Sequence, residues 1–354
     1  MITVENLTKS FHTATESIAA VRGVSLTIES GAFYGVFGPP GSGKSTLTGL
    51  IGLRDRPDTG AVRLDGVNPA TLDGRRLREV RGQLGFLDSS CILRAERTAA
   101  GNIASPLEQL GVDGPQRRAK VAELLDLVGL TRGAAQHPAE LNDGQRRRVA
   151  LARALAVNPA VLLVDDLTAG LATEQSAGVL AALDRARGEL GATVVLATAE
   201  ADVVRKVCDN VAVLADGALL ESGSVFDLLA DQSSHTARRL LPAVDSGSVR
   251  LAGYDRVADI VLVGFAAVDG LLPEAGDRFQ AEISTLDGGR TRVGETPIGR
   301  FRIGLRGERA ESALGWLRER GVQVRPVEFA QAARVSRVGG LVARGERHLA
   351  GVAA

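Results

Sequence analysis

The chain has little of several features that would mark particular classes of protein. It contains two cysteines, Cys91 and Cys208, which lie far apart and form no metal-ligand spacing. This scarcity fits a reducing compartment, and both side chains are expected to pack as small core residues. No charge of one sign dominates, because 42 basic residues balance 42 acidic ones. The whole chain therefore shows no bias towards nucleic acid or an anionic membrane, and no nucleic-acid partner is expected.

Long apolar runs are also absent. No run approaches the roughly 18 residues that cross a bilayer, and the first residues, Met-Ile-Thr-Val-Glu-Asn, lack the basic and apolar segments of a signal peptide. We therefore expect a soluble cytoplasmic protein that meets a membrane only through a partner. The chain does have 354 residues, 45% of them hydrophobic, which is enough for the cores of two domains.

One motif is present without a mismatch. The octapeptide from Gly38 to Ser45 fits G-x-x-x-x-G-K-[ST], between an apolar run at 33–37 that predicts a strand and a run at 45–51 that predicts a helix. Glycines let backbone N–H groups point at phosphate oxygens, and the helix N-terminus adds its positive dipole end. Lys44 is expected to reach the β- and γ-phosphates, and the Ser45 hydroxyl to ligate Mg²⁺. The alternative is a glycine-rich turn with a chance lysine, which the flanking strand and helix disfavour. The predicted phosphate-binding residues are Gly38, Gly41, Ser42, Gly43, Lys44, Ser45 and Thr46.

Residues 1–230 have the pattern of an α/β domain. Short apolar runs at 161–164 and 193–197 predict strands that are covered on both faces of a parallel sheet. Helical patterns at 115–130 and from 144 to about 157 accompany them. Two further features are strand-like alternation over residues 1–66 and a hairpin at 211–222 around Asp216-Gly217.

The rest of the chain predicts a second, smaller domain. Residues 231–249 are polar and pattern-free and predict a linker, and residues 250–330 have the strand–helix order of a ferredoxin-like α+β domain. The expected strands lie near 256–265, 278–286, 299–306 and 322–329, with a weakly signalled helix near 270–277 and a helix at 308–320 that turns Ala313, Leu314 and Leu317 inward. The arginine-rich residues 331–354 predict a solvated, disordered basic tail rather than a membrane-surface helix.

The order of these motifs resembles that of an ATP-binding cassette (ABC) transporter ATPase, most of all the methionine-importer ATPase subunits. The likeness runs from Met1 to about Phe329, and in the second half it rests chiefly on residues 313–324. It implies a P-loop NTPase domain followed by a ferredoxin-like regulatory domain. It also implies ATP and Mg²⁺ as ligands, integral-membrane permease subunits as partners, a second ATP-binding subunit in a homodimer, and a peripheral place at the cytoplasmic face of the membrane. A small amino acid at the C-terminal domain is implied in the same way.

Several parts of the resembling pattern are intact. Phe11 lies where the family has an aromatic side chain against adenine, with a buried core phenylalanine as the alternative. The run Val161-Leu-Leu-Val-Asp165 matches the strand that brings an aspartate, here Asp165, to the Mg²⁺. The segment 145–156 matches the helix that follows the family's signature motif.

Other parts are replaced. The residue that polarises the attacking water is Asp166 instead of glutamate, one methylene shorter, and a base must lie within hydrogen-bond reach of its proton. Ala199 stands at the place of the family's switch histidine, and Ser89 at the place of the glutamine that contacts Mg²⁺, with Asp88 as a neighbouring ligand candidate. The chain's histidines are His12, His137, His235 and His348. None of them is near Ala199 in sequence.

The signature motif, Leu-Ser-Gly-Gly-Gln in the family, reads Leu141-Asn142-Asp143-Gly144-Gln145. It caps the γ-phosphate of the opposite subunit, and Asn142 is able to donate there. Asp143 is interpreted either as a helix N-cap or as a carboxylate that blocks an anion site, and both imply weaker sandwiching of ATP. In the family an aspartate bridges the two active sites. Ala172 stands at its place in this chain.

Three functions follow from this pattern. The first is the ATPase subunit of an amino-acid importer, with hydrolysis expected to be impaired. The second is a degenerate pseudo-ATPase that binds ATP, hydrolyses it poorly and acts as a regulatory or structural partner. The third is a structural paralogue with an empty site, against which the intact Lys44, Ser45 and Asp165 argue.

Overall fold

The computed structural model of the chain describes residues 1–12, 17–231, 233–244, 251, 253–267 and 270–328. The predicted basic tail at 331–354 lies outside the described residues. The strands of the first part are β1 Ile2–His12, β2 Ser17–Ile28, β3 Phe33–Phe37, β4 Thr59–Leu64, β5 Leu84–Asp88, β6 Val161–Asp165, β7 Thr193–Thr198, β8 Asn210–Ala215 and β9 Ala218–Ser224. The helices are α1 Lys44–Ile51, α2 Gly74–Gly82, α3 Ala99–Gln109, α4 Gly114–Leu127, α5 Asp143–Leu155, α6 Thr173–Leu190, α7 Ala201–Val207, α8 Val225–Ala230 and α9 His235–Leu240.

These strands form two sheets. A six-stranded sheet has the order β5-β6-β7-β3-β8-β9, in which all neighbours are parallel except the β8–β9 hairpin. An antiparallel sheet with the order β2-β1-β4 lies beside it. The strand-like alternation of residues 1–66, the hairpin at Asp216-Gly217 and the buried strands near 161 and 193 are all confirmed.

Two apolar cores cover the two faces of the six-stranded sheet. Because β6 and β7 are buried on both faces, their side chains alternate between the cores. Leu162 and Val164 pack with α3 to α6, whereas Leu163 packs with α1 and the antiparallel sheet. The phosphate loop and α1 therefore lie on one side of the sheet, and the helical layer that contains α5 lies on the other.

The C-terminal part has the predicted ferredoxin-like order. Its elements are β10 Arg256–Val263, α10 Leu271–Phe279, β11 Glu282–Val293, β12 Thr296–Arg306, α11 Ala310–Glu319 and β13 Gln323–Pro326. The four strands form an antiparallel sheet with the order β11-β12-β10-β13. The inward face of α11, with Ala313, Leu314 and Leu317, packs on this sheet as expected.

Three details correct the sequence-based boundaries. The second strand of the C-terminal part begins at Glu282 rather than near 278, because Phe279 still belongs to α10 and meets Trp316 edge to face, with ring centroids 6.3 Å apart. The first helix there extends to Phe279. The segment 231–249 is not pattern-free, since α9 lies within it and its Ala237 and Leu240 are buried.

The two parts touch through α7 and α9. The backbone N–H of Gly294, in the β11–β12 turn, donates to the carbonyl of Arg205 at 2.7 Å. Val293 and Ile298 pack into the same core as Leu240. The boundaries 1–230 and 250–330 for the two domains remain the proposed division.

Candidate functional site

The phosphate loop folds tightly between β3 and α1. Gly43 has a φ of 95° and caps the helix that begins at Lys44. A Cβ at Gly43 would lie 2.1 Å from the carbonyl oxygen of Ala20 on β2, and one at Gly38 would lie 2.5 Å from Ser42 Oγ. Only glycine fits such contacts and such a φ, so the glycine spacing of the motif has a direct steric reason.

Lys44 lies within the loop. Its Nζ donates to the carbonyl oxygens of Gly38 and Pro39, both at 2.9 Å, and the residue is 8% exposed. Burial lowers the pKa of Lys44, against the opposing effect of Asp166 and then of Asp165. The ammonium group is thus held in the loop by two carbonyl oxygens, within electrostatic range of two carboxylates.

Asp165 ends the buried strand β6 beside the loop. The Ser45 hydroxyl hydrogen-bonds its carboxyl group, and burial raises the pKa of Asp165 against that bond. Its Oδ1 is buried and has no hydrogen-bond partner among the described residues. The structure therefore brings together the two predicted metal ligands, Ser45 and Asp165, and leaves one carboxylate oxygen in need of a partner.

Asp166 turns the chain away from the strand. It has a φ of 51°, and its N–H donates to the carbonyl of Ala197 at 2.9 Å. Aspartate tolerates this left-handed conformation better than most residues do. Its charge raises the pKa of Lys44, so the carboxylate lies within electrostatic range of the phosphate-loop lysine.

The replaced positions lie along the same edge of the sheet. Register pairs Asp88 with Asp165, and Asp165 with Ala197, at the carboxyl ends of β5, β6 and β7. Ser89, which follows β5, is exposed, and Ala199 follows β7. The described histidines, His12, His137 and His235, line no part of the loop cavity.

The cavity at the loop has a volume of about 470 Å³. Five of the predicted residues line it: Gly41, Gly43, Lys44, Ser45 and Thr46. Gly38 and Ser42 do not line it and instead pack closely against each other within the loop. The β2 side of this cavity and the turn opposite were not predicted from the sequence. Those lining residues are Ile18, Ala19, Ala20, Arg22 and Asp216. No local motif marks them, because only sheet packing brings β2 across the loop.

Phe11 lies near the end of β1, directly across from Ile18 in the register. Phe11 is 43% exposed, so the alternative of a buried core phenylalanine is wrong. Lys9 Nζ lies 5.6 Å from the centre of its ring. The described residues that line the cavity do not include Phe11. Its stacking on adenine therefore stays a prediction.

The signature residues lie at the start of α5. Asn142 and Gln145 cap each other reciprocally, with distances of 2.8 and 2.9 Å. The helix N-cap is therefore Asn142, and the interpretation of Asp143 as the N-cap is wrong. Asp143 is exposed and pairs with Arg146 instead. Leu141 and Gly144 are buried, and none of the five residues lines the phosphate-loop cavity.

A contact that the sequence analysis missed links two loops at this edge. Thr168 Oγ1 donates to Glu200 Oε1 at 3.0 Å, and Thr168 is 2% exposed. Thr168 lies two residues after Asp166, and Glu200 directly follows Ala199. The sequence pattern could not predict this hydrogen bond, because it depends on which residue the fold places opposite Thr168.

The fold and the loop define an ABC-type nucleotide-binding protein. Residues 21–169 match the family described as ABC transporter, and residues 256–326 match the NIL domain. The chain resembles a dimeric, post-hydrolysis structure of the ATP-binding cassette MJ0796 with ADP and Pi. The likeness has 34% identity and a TM-score of 0.58, and it covers 63% of this chain and 98% of that one.

Curated relatives match over nearly the whole length. The chain is 40% identical over 330 residues to the methionine import ATP-binding protein MetN of Thermobifida fusca. This alignment covers 92% of this chain and 100% of that protein. It is 36% identical over 327 residues to MetN 2 of Yersinia pestis, covering 91% of this chain and 99% of that protein. The chain therefore belongs to the MetN family of ABC transporter ATP-binding proteins. In the described part, no helix is long and apolar enough to cross a membrane.

Proposed function

We propose that this chain is the ATP-binding subunit of an importer for methionine or a related amino acid, working with membrane permease subunits at the cytoplasmic face. The observation that carries the proposal is the complete phosphate loop in a chain that aligns over 92% of its length with a protein named for methionine import. Lys44, Ser45 and the loop N–H groups bind and orient the phosphates of ATP. The permease, the membrane location and the substrate rest on this likeness.

Magnesium fits the site that Ser45 and Asp165 form. Mg²⁺ prefers hydroxyl, carboxylate and phosphate oxygens and is usually held by one or two carboxylates together with the substrate. The buried Asp165 Oδ1 without a hydrogen-bond partner suits such a cation. Among the described residues, no three acidic, cysteine or histidine side chains cluster as a metal site. Mg²⁺ usually takes its remaining ligands from substrate phosphates and water. The cation neutralises phosphate charge when it is bound.

Hydrolysis by this chain is proposed to be slow. Asp166 is short for a base that must reach a water molecule, and Ala199 offers no imidazole to the γ-phosphate. A positioned base contributes roughly 10²–10⁴ to a rate. Because losses of groups that act together are not additive, the combined loss of rate is not the product of the individual factors. Asp166 nevertheless keeps a carboxylate at the sequence position of the family's glutamate.

The second ATP-binding subunit is proposed to be another copy of this chain. The signature at α5 does not line the chain's own phosphate-loop cavity, as expected if it serves a neighbour's site. In a homodimer both sites then carry the same replacements. The exposed carboxylate of Asp143 adds a negative charge where a phosphate is expected to dock, which weakens the ATP sandwich.

The C-terminal domain is proposed to bind a small amino acid and to regulate the cassette. Its ferredoxin-like sheet contacts α7 through the bond from Gly294 to Arg205. Helix α7 begins two residues after Ala199. A conformational change in the C-terminal domain therefore reaches the sheet edge beside the phosphate site through α7.

The first test is ATP turnover by the purified chain, together with an ATP-binding titration and a Lys44→Ala control. Turnover near ~1 s⁻¹, within the ordinary enzyme range and abolished by Lys44→Ala, establishes a working ATPase. Tight binding without turnover above the control supports the pseudo-ATPase alternative. Absence of binding overturns the proposal.

The second test measures transport. The chain is expressed with its permease in cells that lack methionine uptake, and uptake of labelled methionine is compared between the wild type and Lys44→Ala. Uptake that depends on Lys44 is expected. Wild-type ATPase activity stimulated by the permease, without methionine uptake, would point to a different substrate.

A further inference from the structure

We infer that Asp88 does the metal-positioning work of the missing glutamine, by presenting a second carboxylate beside Asp165 to the Mg²⁺ of bound nucleotide. The inference rests on the proposed function, because it concerns the same ATP site. It makes Asp88 a positioning residue of this chain, in place of Ser89.

The register places the two carboxylates side by side. Asp88 ends β5, Asp165 ends β6, and the two residues are direct partners in a parallel pair. Neighbouring parallel strands lie about 4.8 Å apart, and side chains alternate between the faces along each strand. Phe86 and Leu163 pack in the core on the α1 side. Asp88 and Asp165, each two residues further on, therefore point to the side of the sheet that holds the phosphate loop.

Among the described residues, hydrogen-bond donors reach only one carboxylate oxygen of Asp88. Ser90 donates to Oδ1 from its N–H, at 3.0 Å, and from its hydroxyl. No described residue donates a hydrogen bond to Oδ2. The charge of Asp88 also raises the pKa of Asp165, so the two groups interact. Two adjacent carboxylates, one of them with a buried oxygen that has no hydrogen-bond partner among the described residues, form the kind of site that a hard divalent cation relieves.

The segment around Asp88 is fixed to the helical layer. Cys91 Sγ donates to the carbonyl of Asp88 at 3.0 Å, and Arg153 Nη1 donates to the carbonyl of Ile92 at 2.7 Å. Arg153 lies on α5; burial lowers its pKa, and the charge of Asp88 opposes this only as the smallest of four effects. Ser89 is exposed and carries its hydroxyl on a single carbon, so its side chain is too short to replace the family's glutamine.

A purely structural role for Asp88 makes different predictions. An aspartate at the end of a strand often accepts a hydrogen bond from the N–H two residues later, and Asp88 does so with Ser90. Asparagine keeps that acceptor and removes only the charge. Asp88→Asn therefore separates folding from metal binding.

The experiment measures Mn²⁺ affinity of the ATP-loaded full chain by electron paramagnetic resonance, with Mn²⁺ as the probe for Mg²⁺. The variants are Asp88→Asn, Asp88→Glu, Ser89→Ala and a charge-matched control, Asp184→Asn, which lies exposed on α6. Loss of a metal-orienting group typically costs 10–100-fold in metal affinity, and we expect a loss of that size for Asp88→Asn. Asp88→Glu should recover part of it. Ser89→Ala and Asp184→Asn should stay within about twofold of the wild type, since neither removes a metal partner.

Three outcomes decide the matter. Weaker Mn²⁺ binding by Asp88→Asn, with unchanged melting temperature and unchanged ATP binding in EDTA, supports the inference. Mn²⁺ binding within twofold of the wild type, or an equal loss in Ser89→Ala, overturns it while the proposed function stands. A wild type that binds no ATP overturns the proposed function itself.

Discussion

The hydroxyl of Thr168 donates a 3.0 Å hydrogen bond to the carboxylate of Glu200. This bond joins the loop after β6, which contains Asp166, to the turn after β7, which contains Ala199. The same turn leads into α7, whose Arg205 accepts a hydrogen bond from Gly294 in the C-terminal sheet. The Thr168–Glu200 pair thus lies between the phosphate site and the contact with the second domain.

Replacement of Thr168 by valine is expected to destabilise the fold. A hydrogen bond to a charged group contributes about 1.5–3 kcal/mol. Because Glu200 is partly exposed and its carboxylate regains a hydrogen bond from water, we expect a loss near the lower end of this range. Urea unfolding of Thr168→Val measures the loss. Thr173→Ala, at an exposed position of α6, is the control and should change stability by less than about 0.5 kcal/mol. Equal stability of the Thr168 variant and the wild type would contradict the expectation.

Asp166→Glu is expected to raise ATP turnover at least ~10-fold, a part of the roughly 10²–10⁴ that a positioned base contributes. The added methylene lets the carboxylate reach the water. The double variant with Ala199→His should be faster still. Because Asp166 has a φ of 51°, which glutamate tolerates less well, the melting temperature is measured alongside. A folded Asp166→Glu variant with unaltered turnover would show that the length of this side chain does not limit the rate.

Asp143→Gly is expected to strengthen ATP-dependent dimerisation. The substitution removes an exposed carboxylate from the proposed docking place of the γ-phosphate, and exposed charges interact by up to about 1 kcal/mol, or roughly fivefold. Analytical ultracentrifugation at increasing ATP concentration reads the effect. Arg146→Ala removes the ion-pair partner of Asp143 but keeps the carboxylate, so it should not strengthen the dimer. A dimer that weakens in Asp143→Gly would argue against this place for the phosphate.

Glu221 predicts a pH dependence of stability. Burial by itself would raise its pKa, but hydrogen bonds from Ser234, Thr236 and the N–H of His235 outweigh burial and lower the pKa to about 2. Since the folded pKa lies below the ordinary value of 4.5, the stabilisation is complete above about pH 4.5 and is lost as the pH falls towards 2. Glu221→Gln should cost about 1–3 kcal/mol at pH 7, and the gap to the wild type should narrow below pH 4.5. Chemical unfolding from pH 7 to pH 3 measures this gap, and a gap that stays constant across that range would refute the role of the charge.

The ion pair of Arg302 and Asp259 is expected to stabilise the C-terminal domain. Arg302 Nε and Nη2 donate to the two carboxylate oxygens at 2.7 and 2.9 Å, and the side chains are 8% and 17% exposed. Removal of one partner from a buried pair costs about 3–5 kcal/mol, so Asp259→Ala should be strongly destabilising. Trp316, the single tryptophan, reports unfolding of this domain by fluorescence.

The control for this prediction is Glu282→Ala. Glu282 pairs with Arg306 at the surface, with both side chains about half exposed, and such pairs are worth about 0–1 kcal/mol. A similar loss in both variants would mean that burial does not set the value of the Asp259 pair.

Local sequence was sufficient for the central part of the site. The spacing of glycines around Lys44 and the apolar run that ends at Asp165 predict a strand, a loop and a helix, because each requirement is met by neighbours in the chain. The same holds for the ferredoxin-like order of the C-terminal part. The helix α9 was missed because its six residues are too few for a periodic pattern, and its stability comes from Glu221, which caps its first turn from β9.

The phosphate loop, the order of the elements and the identity of each replaced residue follow from the amino-acid sequence alone. Their surroundings depend on how the chain packs: β2 lies across the loop, Asn142 rather than Asp143 caps the helix, Thr168 bonds Glu200, and Asp88 lies beside Asp165. These relations join residues far apart in the chain. They depend on the register of parallel strands and on which faces pack together, which no local pattern of residues specifies.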